Sequence, residues 1–425
     1  MKTILKSAAA AAALALAATL SAATPPALVV GDPPSSHANS GTASVALPYT
    51  LIDLSRPATA TGNLTQVKLG WASGGCNSAV RIKVFRRAGS TLVPTAQSAA
   101  LSLTSPDANV VFTSTLAPPL PVEQGDLIGM TVLDDCSANP VAFAGFPTIG
   151  YLVYPGDVQS AVSIDARLYH ITDQLSLGAT GVTTSYTALV VPGVGSIPGA
   201  FGAQFKTSLQ IVASPYGGDL SGKLVFHPLG VSGSTSDPSL DLILGAGRAV
   251  SYPDIVGTMG QTGLGSLDVV LDAASPAPVV YARVFNDAGP DGTSGLGEQA
   301  IDVSQPAYSP ATPVLYFGCS GILSTPVDPA HFRINLGMRS LDADVTISFV
   351  LKDITGATRA SAQKSLSPNE FLQIKAEDLL GAAPGANDYI LVSVSGGAAI
   401  VYGATTDNIT NDPSVQFVTS IGCVA

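Results

Sequence analysis

Apolar residues recur at every second position along short stretches of this chain, and glycine, proline, asparagine or aspartate ends most of them. Leu64–Trp71, Val80–Phe85, Leu127–Leu133 and Ala161–Tyr169 are of this kind. A period of two sends alternate side chains to opposite sides of an extended backbone, so each stretch can bury one face and wet the other. In Arg81-Ile82-Lys83-Val84-Phe85-Arg86-Arg87 the charges mostly alternate with apolar residues, which reads as a strand with one wet face. Many short strands separated by turn formers describe two-layer sandwiches. The expected fold class is therefore all-β: three consecutive β-sandwich domains, jelly-roll or immunoglobulin-like, after a signal peptide.

The signal is expected over residues 1–23. Lys2 and Lys6 provide a positive start, Ala8–Leu20 an apolar stretch, and Ser21-Ala22-Ala23 the small residues a signal peptidase needs. The apolar stretch is shorter than the roughly 20 residues of a membrane span, and no later segment reaches that length, so no integral membrane segment is expected. The reading implies a secreted, extracellular or cell-surface chain, with the periplasm as the other exported compartment. The formal net charge is −11, and charged residues are 12% of the chain. Such a surface repels phosphate backbones and excludes nucleic acid as a partner.

Residues 24–45, rich in Pro, Ser, Gly and Ala, read as a flexible leader, 46–172 as an N-terminal sandwich, and 173–186 as a Gly/Thr/Ser-rich linker. Beyond it the chain repeats itself. Phe205-Lys206-Thr207-Ser208-Leu209 matches Phe332-Arg333-Ile334-Asn335-Leu336, and Val280-Tyr281-Ala282-Arg283 matches Val401-Tyr402-Gly403-Ala404. The Phe-to-Phe offset is 127 and the Tyr-to-Tyr offset 121. Two homologous sandwiches, 187–310 and 311–425, follow. Each holds a more helical-looking insert, Tyr252–Gly257 in one and Glu370–Leu380 in the other.

Four cysteines in an exported chain argue for disulfides. Those boundaries put Cys76 with Cys136 and Cys319 with Cys423. A soft-metal site lacks its pattern, since there is no Cys-x-x-Cys and no histidine at ligand spacing from a cysteine.

No linear motif selects a catalytic site. His37, His170, His227 and His331 read as isolated edge histidines, and Ser361-Ala362-Gln363-Lys364 lies in an alternating segment where a catalytic Ser-x-x-Lys would start a helix. Asp254, Glu370 and Asp378 are carboxylates that a hydrolase would have to bring together in space. No cofactor is expected beyond calcium: the oxygen-rich loops Asn286–Thr293 and Asp407–Asp412 offer side chains of the type it takes, although hairpins require the same residues. Trp71 reads either as a packing residue or as a platform for a sugar ring.

The two C-terminal units resemble poorly characterised repeats of secreted proteins from environmental bacteria, acidobacteria and their relatives. In those, a Phe-x-Thr/Ile-x-Leu strand and a late Val-Tyr-x-x strand followed by Asp or Asn bracket a sandwich. The resemblance implies repeated export-type domains and carries no catalytic residue. The expected function is a non-enzymatic structural, matrix or surface-assembly protein. The alternative is adhesion to a glycan or protein of a cell surface through the N-terminal domain.

Overall fold

The computed structural model describes residues 25–32, 47–71, 78–88, 91–103, 110–133, 142–144, 151–164, 168–169, 173–234, 236–304, 313–341 and 343–423. The fold is all-β: strands take 64% of the described residues and helices 4%, so the interior is built almost wholly from sheet faces. All the named strand pairings are antiparallel; among the described residues the one parallel contact is the isolated bridge from Leu229 to Phe371. No helix among the described residues is long and apolar enough to cross a membrane.

One 22-residue strand, Leu177–Pro198, organises the first two thirds of the molecule. Its first part pairs with Thr61–Trp71, from Leu69↔Leu177 to Thr61↔Ser185, and with Leu28–Gly31 on its other side. Its second part pairs with Gly263–Asp272, from Ser185↔Asp272 to Ser196↔Gly263. The stretch read as a linker is therefore strand: Asp173–Leu175, then the opening half of Leu177–Pro198. Its glycines mark close approach. A Cβ on Gly181 would lie 2.0 Å from the Asn63 carbonyl oxygen, and one on Gly62 would lie 2.0 Å from that of Val182, distances only glycine allows. Part of the leader is also strand, because Leu28 and Val30 bury their side chains on the same sheet. A single apolar core accordingly runs from Leu28, Leu51 and Ile82 through Leu177 and Val191 to Leu224, Leu267 and Ala282.

The N-terminal region corrects a second expectation. Ser78–Ala88 is a strand, but neither of its faces is wet at the centre. Ile82 and Val84 enter the main core, while Phe85 enters a smaller one with Ile52, Leu92 and Leu152. Lys83 is 0% exposed. Its ammonium is held by Asp157 at 2.7 Å, and the same carboxylate takes bonds from Arg81 and from the Thr131 hydroxyl.

The repeat is exact in pairing. Gln204–Val212 pairs with Val279–Asp287 as Phe332–Ser340 pairs with Ala398–Asp407. Leu209↔Ala282 in the first unit becomes Leu336↔Gly403 in the second, the offsets of 127 and 121 read from the sequence. Leu220–Pro228 against Gly263–Asp272 likewise corresponds to Val345–Lys352 against Tyr389–Ser395. Each helical-looking insert supplies one short helix, Ile255–Thr258 or Ala376–Leu380, and the second insert also forms the strand Phe371–Lys375. The second unit has its own core around Leu336, Ile347, Phe349, Val392 and Val401.

Cys319 and Cys423 face each other across the ladder joining Cys319–Ser324 to Thr419–Cys423, with their sulfurs 1.96 Å apart. In the first unit the matching cross-strand pair is Leu189 and Asp302. Cys76 and Cys136 lie outside the described residues.

Candidate functional site

The two repeats are joined by a buried polar chain; one member, His227, read from the sequence as an isolated edge histidine, is instead buried and bonded through both ring nitrogens. Arg339 is 0% exposed and reaches from the second unit into the first. Its Nη2 donates to both oxygens of Asp268, at 3.0 and 2.9 Å, its Nε donates to the Ser266 hydroxyl, and Nη1 donates to Asn369 Oδ1. The other side of Asp268 meets His227 Nε2 at 3.1 Å, and His227 Nδ1 lies 2.6 Å from Asp237. Burial alone would raise the Asp268 carboxyl, but Arg339 and His227 hold it below the ordinary value. Burial alone would lower His227, yet the carboxylates of Asp268 and Asp237 raise it. With both ring nitrogens protonated, the order Asp237–His227–Asp268–Arg339 alternates in sign. Backbone bonds from Gly230 N–H to the Phe371 carbonyl and from Gly233 N–H to the Pro368 carbonyl tighten the same junction. The signal that finds this cluster is a comparison of the repeats: Arg339 stands where the first unit has Val212, and Asp268 where the second has Ser393.

Docking in this way leaves a cleft of about 730 Å³ between the units. Ile197, Pro198, Phe205, Val284 and Leu296 of the first unit face Phe332, Ile334, Pro413 and Val415 of the second. At its floor lies Glu298, on strand Thr293–Gln299 and 3% exposed. Burial pushes its carboxyl up to about 8, against the opposing pull of the Gly193 N–H. Tyr402 approaches from the other unit. Its hydroxyl donates to Gln373 Oε1 at 2.9 Å, and burial, reinforced by Glu298, holds it well above the ordinary phenol range.

Tyr402 lies flat because its cross-strand partner is Gly337, where a Cβ would come within 2.0 Å of the ring. The first unit has Gln210 opposite Tyr281, and Tyr281 is exposed. Gly337→Ala therefore overpacks the cleft floor and costs about 1–3 kcal/mol of stability, measured by urea denaturation. An unchanged midpoint would mean that the ring has room to move.

At the mouth Phe201 is 70% exposed and has φ 56°. Arg333 covers one side of its ring at 5.3 Å, and the Asn411 amide donates to its carbonyl.

Around neutral pH, Asp53, raised to about 7 by burial, Glu298, raised to about 8, His227 and the surface His331, raised by Asp328, hold their protons more tightly in the folded chain. Their stabilisation is complete below their unfolded values and is lost as pH rises through the folded ones. Asp157, Asp237 and Asp268 are shifted down and withdraw stability only as pH falls through their depressed values. Stability is therefore greatest in mild acid and declines between about pH 5 and about pH 8. Urea midpoints across a pH series check this, and a rise over that interval would contradict it.

The other residues singled out in the sequence fall elsewhere. Asp254 caps the short helix and accepts from Ser196, Glu370 accepts from the Ser367 N–H, and Asp378 lies in the first turn of Ala376–Leu380. No described hydrogen bond joins them. In the two oxygen-rich loops Asn286 accepts from the Gln204 N–H, Asp287 pairs with Lys206, Asp407 closes on Ile409 and Thr410, and Asn408 and Asn411 accept from Arg333. No group of three or more His, Cys, Asp or Glu among the described residues is placed to hold a metal ion. Ser361 and Lys364 lie on the strand Thr358–Leu366, three residues apart and so on opposite faces. His331 pairs with Asp328 on the surface, whereas His37, His170 and the Trp71 side chain lie outside the described residues.

No family model matches the chain, and no curated protein resembles it closely enough to count as a match.

Proposed function

We propose that this chain is a non-enzymatic exported binding protein whose ligand enters the cleft between the two homologous sandwiches. The observation that carries this reading is the cleft itself. It has about 730 Å³ of space, apolar walls from both units, and a few convergent polar groups at its floor. Ligand sites have that composition and span roughly 300–1,000 Å³. The buried Arg339–Asp268 pair and the inter-unit backbone bonds support a preformed site, because they fix the two walls relative to each other. Export is supported by the Cys319–Cys423 disulfide, which suits an oxidising compartment.

Val284 and Leu296 are cross-strand partners lining one wall, so Val284→Trp fills the cleft without touching its polar floor. Thermal-shift and calorimetric screening of the full chain against apolar small molecules, peptides and glycans tests the reading. Ligands should stabilise the wild type and not the V284W variant, whose circular dichroism stays native. Ligands indifferent to V284W, or no ligand of any class, would remove the reading.

One observation favours assembly as a second reading. Ser239–Leu244 is an end strand of the largest sheet and carries Ile243, 79% exposed. Unpaired edges of this kind join molecules by strand addition. Light scattering across a concentration series decides it, since a constant monomer mass excludes such pairing.

A further inference from the structure

We propose that the cleft receives a small uncharged molecule with an apolar body and a carbonyl head, the head taken by Glu298 and Gln373 and the body lying against Phe201. This deepens the binding reading above and rests on it.

The floor argues for a neutral head. Glu298 is almost fully buried, Tyr402 approaches it from the other unit, and Gln373, bonded to the Tyr402 hydroxyl, lines the same cleft. A carboxyl that stays protonated at neutral pH can donate a hydrogen bond to a carbonyl oxygen. Gln373 spends its carbonyl on the Tyr402 hydroxyl, which leaves its amino group to donate. An anionic head at the floor would lie beside a second acid with no cation set against it. Lys375 is paired with Glu377, and Arg333 stands at the mouth over the Phe201 ring, four residues along its strand from Gly337, the partner of Tyr402. A cationic head would require Glu298 to ionise where burial opposes ionisation.

The mouth argues for an apolar body. A large aromatic residue with φ 56° is a backbone outlier, and such strain persists only where the surroundings impose it. Here Asn411 and Arg333 hold Phe201 in that conformation with its ring turned out to solvent. The Arg333 guanidinium covers one side of the ring, and most of the rest is open for an apolar body to cover.

The test uses the full chain with the uncharged fluorophore N-phenyl-1-naphthylamine as reporter, displaced by dodecanamide or by dodecanoate. At about neutral pH the amide displaces the reporter at roughly tenfold lower concentration than the carboxylate, as one charge-sensitive buried hydrogen bond implies. Glu298→Leu raises the amide concentration needed by about tenfold and leaves the reporter bound. Phe201→Ala weakens binding of reporter and amide alike. As pH rises through about 8 the amide displaces the reporter less well from the wild type, because an ionised Glu298 no longer donates to its carbonyl, whereas Glu298→Gln keeps its affinity for the amide. Of the other ionisable groups lining the cleft, Tyr402 remains neutral over that range, Arg333 keeps its bonds to Asn408 and Asn411, and Lys375 and Glu377 remain paired with each other. Equal displacement by the two competitors, or displacement by the amide that Glu298→Leu leaves unchanged, overturns the assignment of the head and leaves the cleft reading standing. Reporter fluorescence that is absent, or unaffected by Val284→Trp, overturns both.

Discussion

Replacing Arg339 with alanine destabilises the chain by about 3–5 kcal/mol, the cost of leaving a buried charge without its partner. Asp268 is 3% exposed and loses a bidentate bond, Ser266 and Asn369 lose a donor, and His227 is left to hold the carboxylate alone. The damage falls on the junction between repeats, because Arg339 belongs to the second and Asp268 to the first. Urea denaturation gives the magnitude, and a double variant identifies its origin. With Arg339→Met and Asp268→Leu together, both charges are gone and apolar groups fill the space, so most of the loss is recovered. A single variant within about 1 kcal/mol of wild type would show that water reaches Asp268 and replaces the guanidinium.

The second large effect is that of Cys423→Ser. The disulfide closes a segment with a sequence separation of 104, and constraining a loop of about that length is worth roughly 4–5 kcal/mol in the chain-entropy account. Losing it costs about 4 kcal/mol, and the loss is local. The second unit has a core cluster of its own, whereas the first shares a core with the N-terminal sandwich. Hydrogen exchange should accelerate across Cys319–Ser324 and Thr419–Cys423 and stay slow along Leu177–Pro198. The matching position in the first unit needs no crosslink, because Leu189 lies in the middle of a strand anchored along both halves. Uniform acceleration over the whole chain would show instead that the molecule opens as one unit.

The sequence carried the fold class in its period-two pattern, and the repeat in its two offsets, which proved to be the strand register itself. It misled at Gly181-Val182-Thr183-Thr184-Ser185. Glycine there permits contact between backbones, a property of the neighbouring strand Thr61–Trp71 that composition cannot display. Lys83 misled for a related reason: alternation shows that a strand has two faces, and a second small core covered the face expected to be wet. The site was legible only in part. Asp268 stands out inside the apolar run Leu267-Asp268-Val269-Val270-Leu271, and Arg339 stands out against Val212 once the repeats are aligned. Glu298 and Tyr402 carry no such mark, because they meet only when one unit is docked on the other.

The uninterrupted strand Leu177–Pro198 also sets how the molecule bears load. A pull applied between the N-terminal sandwich and the first repeat runs along this one rod, with no hinge to extend. The ladders on its two halves then resist by sliding parallel to their own length, so many hydrogen bonds must rupture together and none can be unzipped singly. For a chain read as working outside the cell, such a joint behaves as a stiff beam.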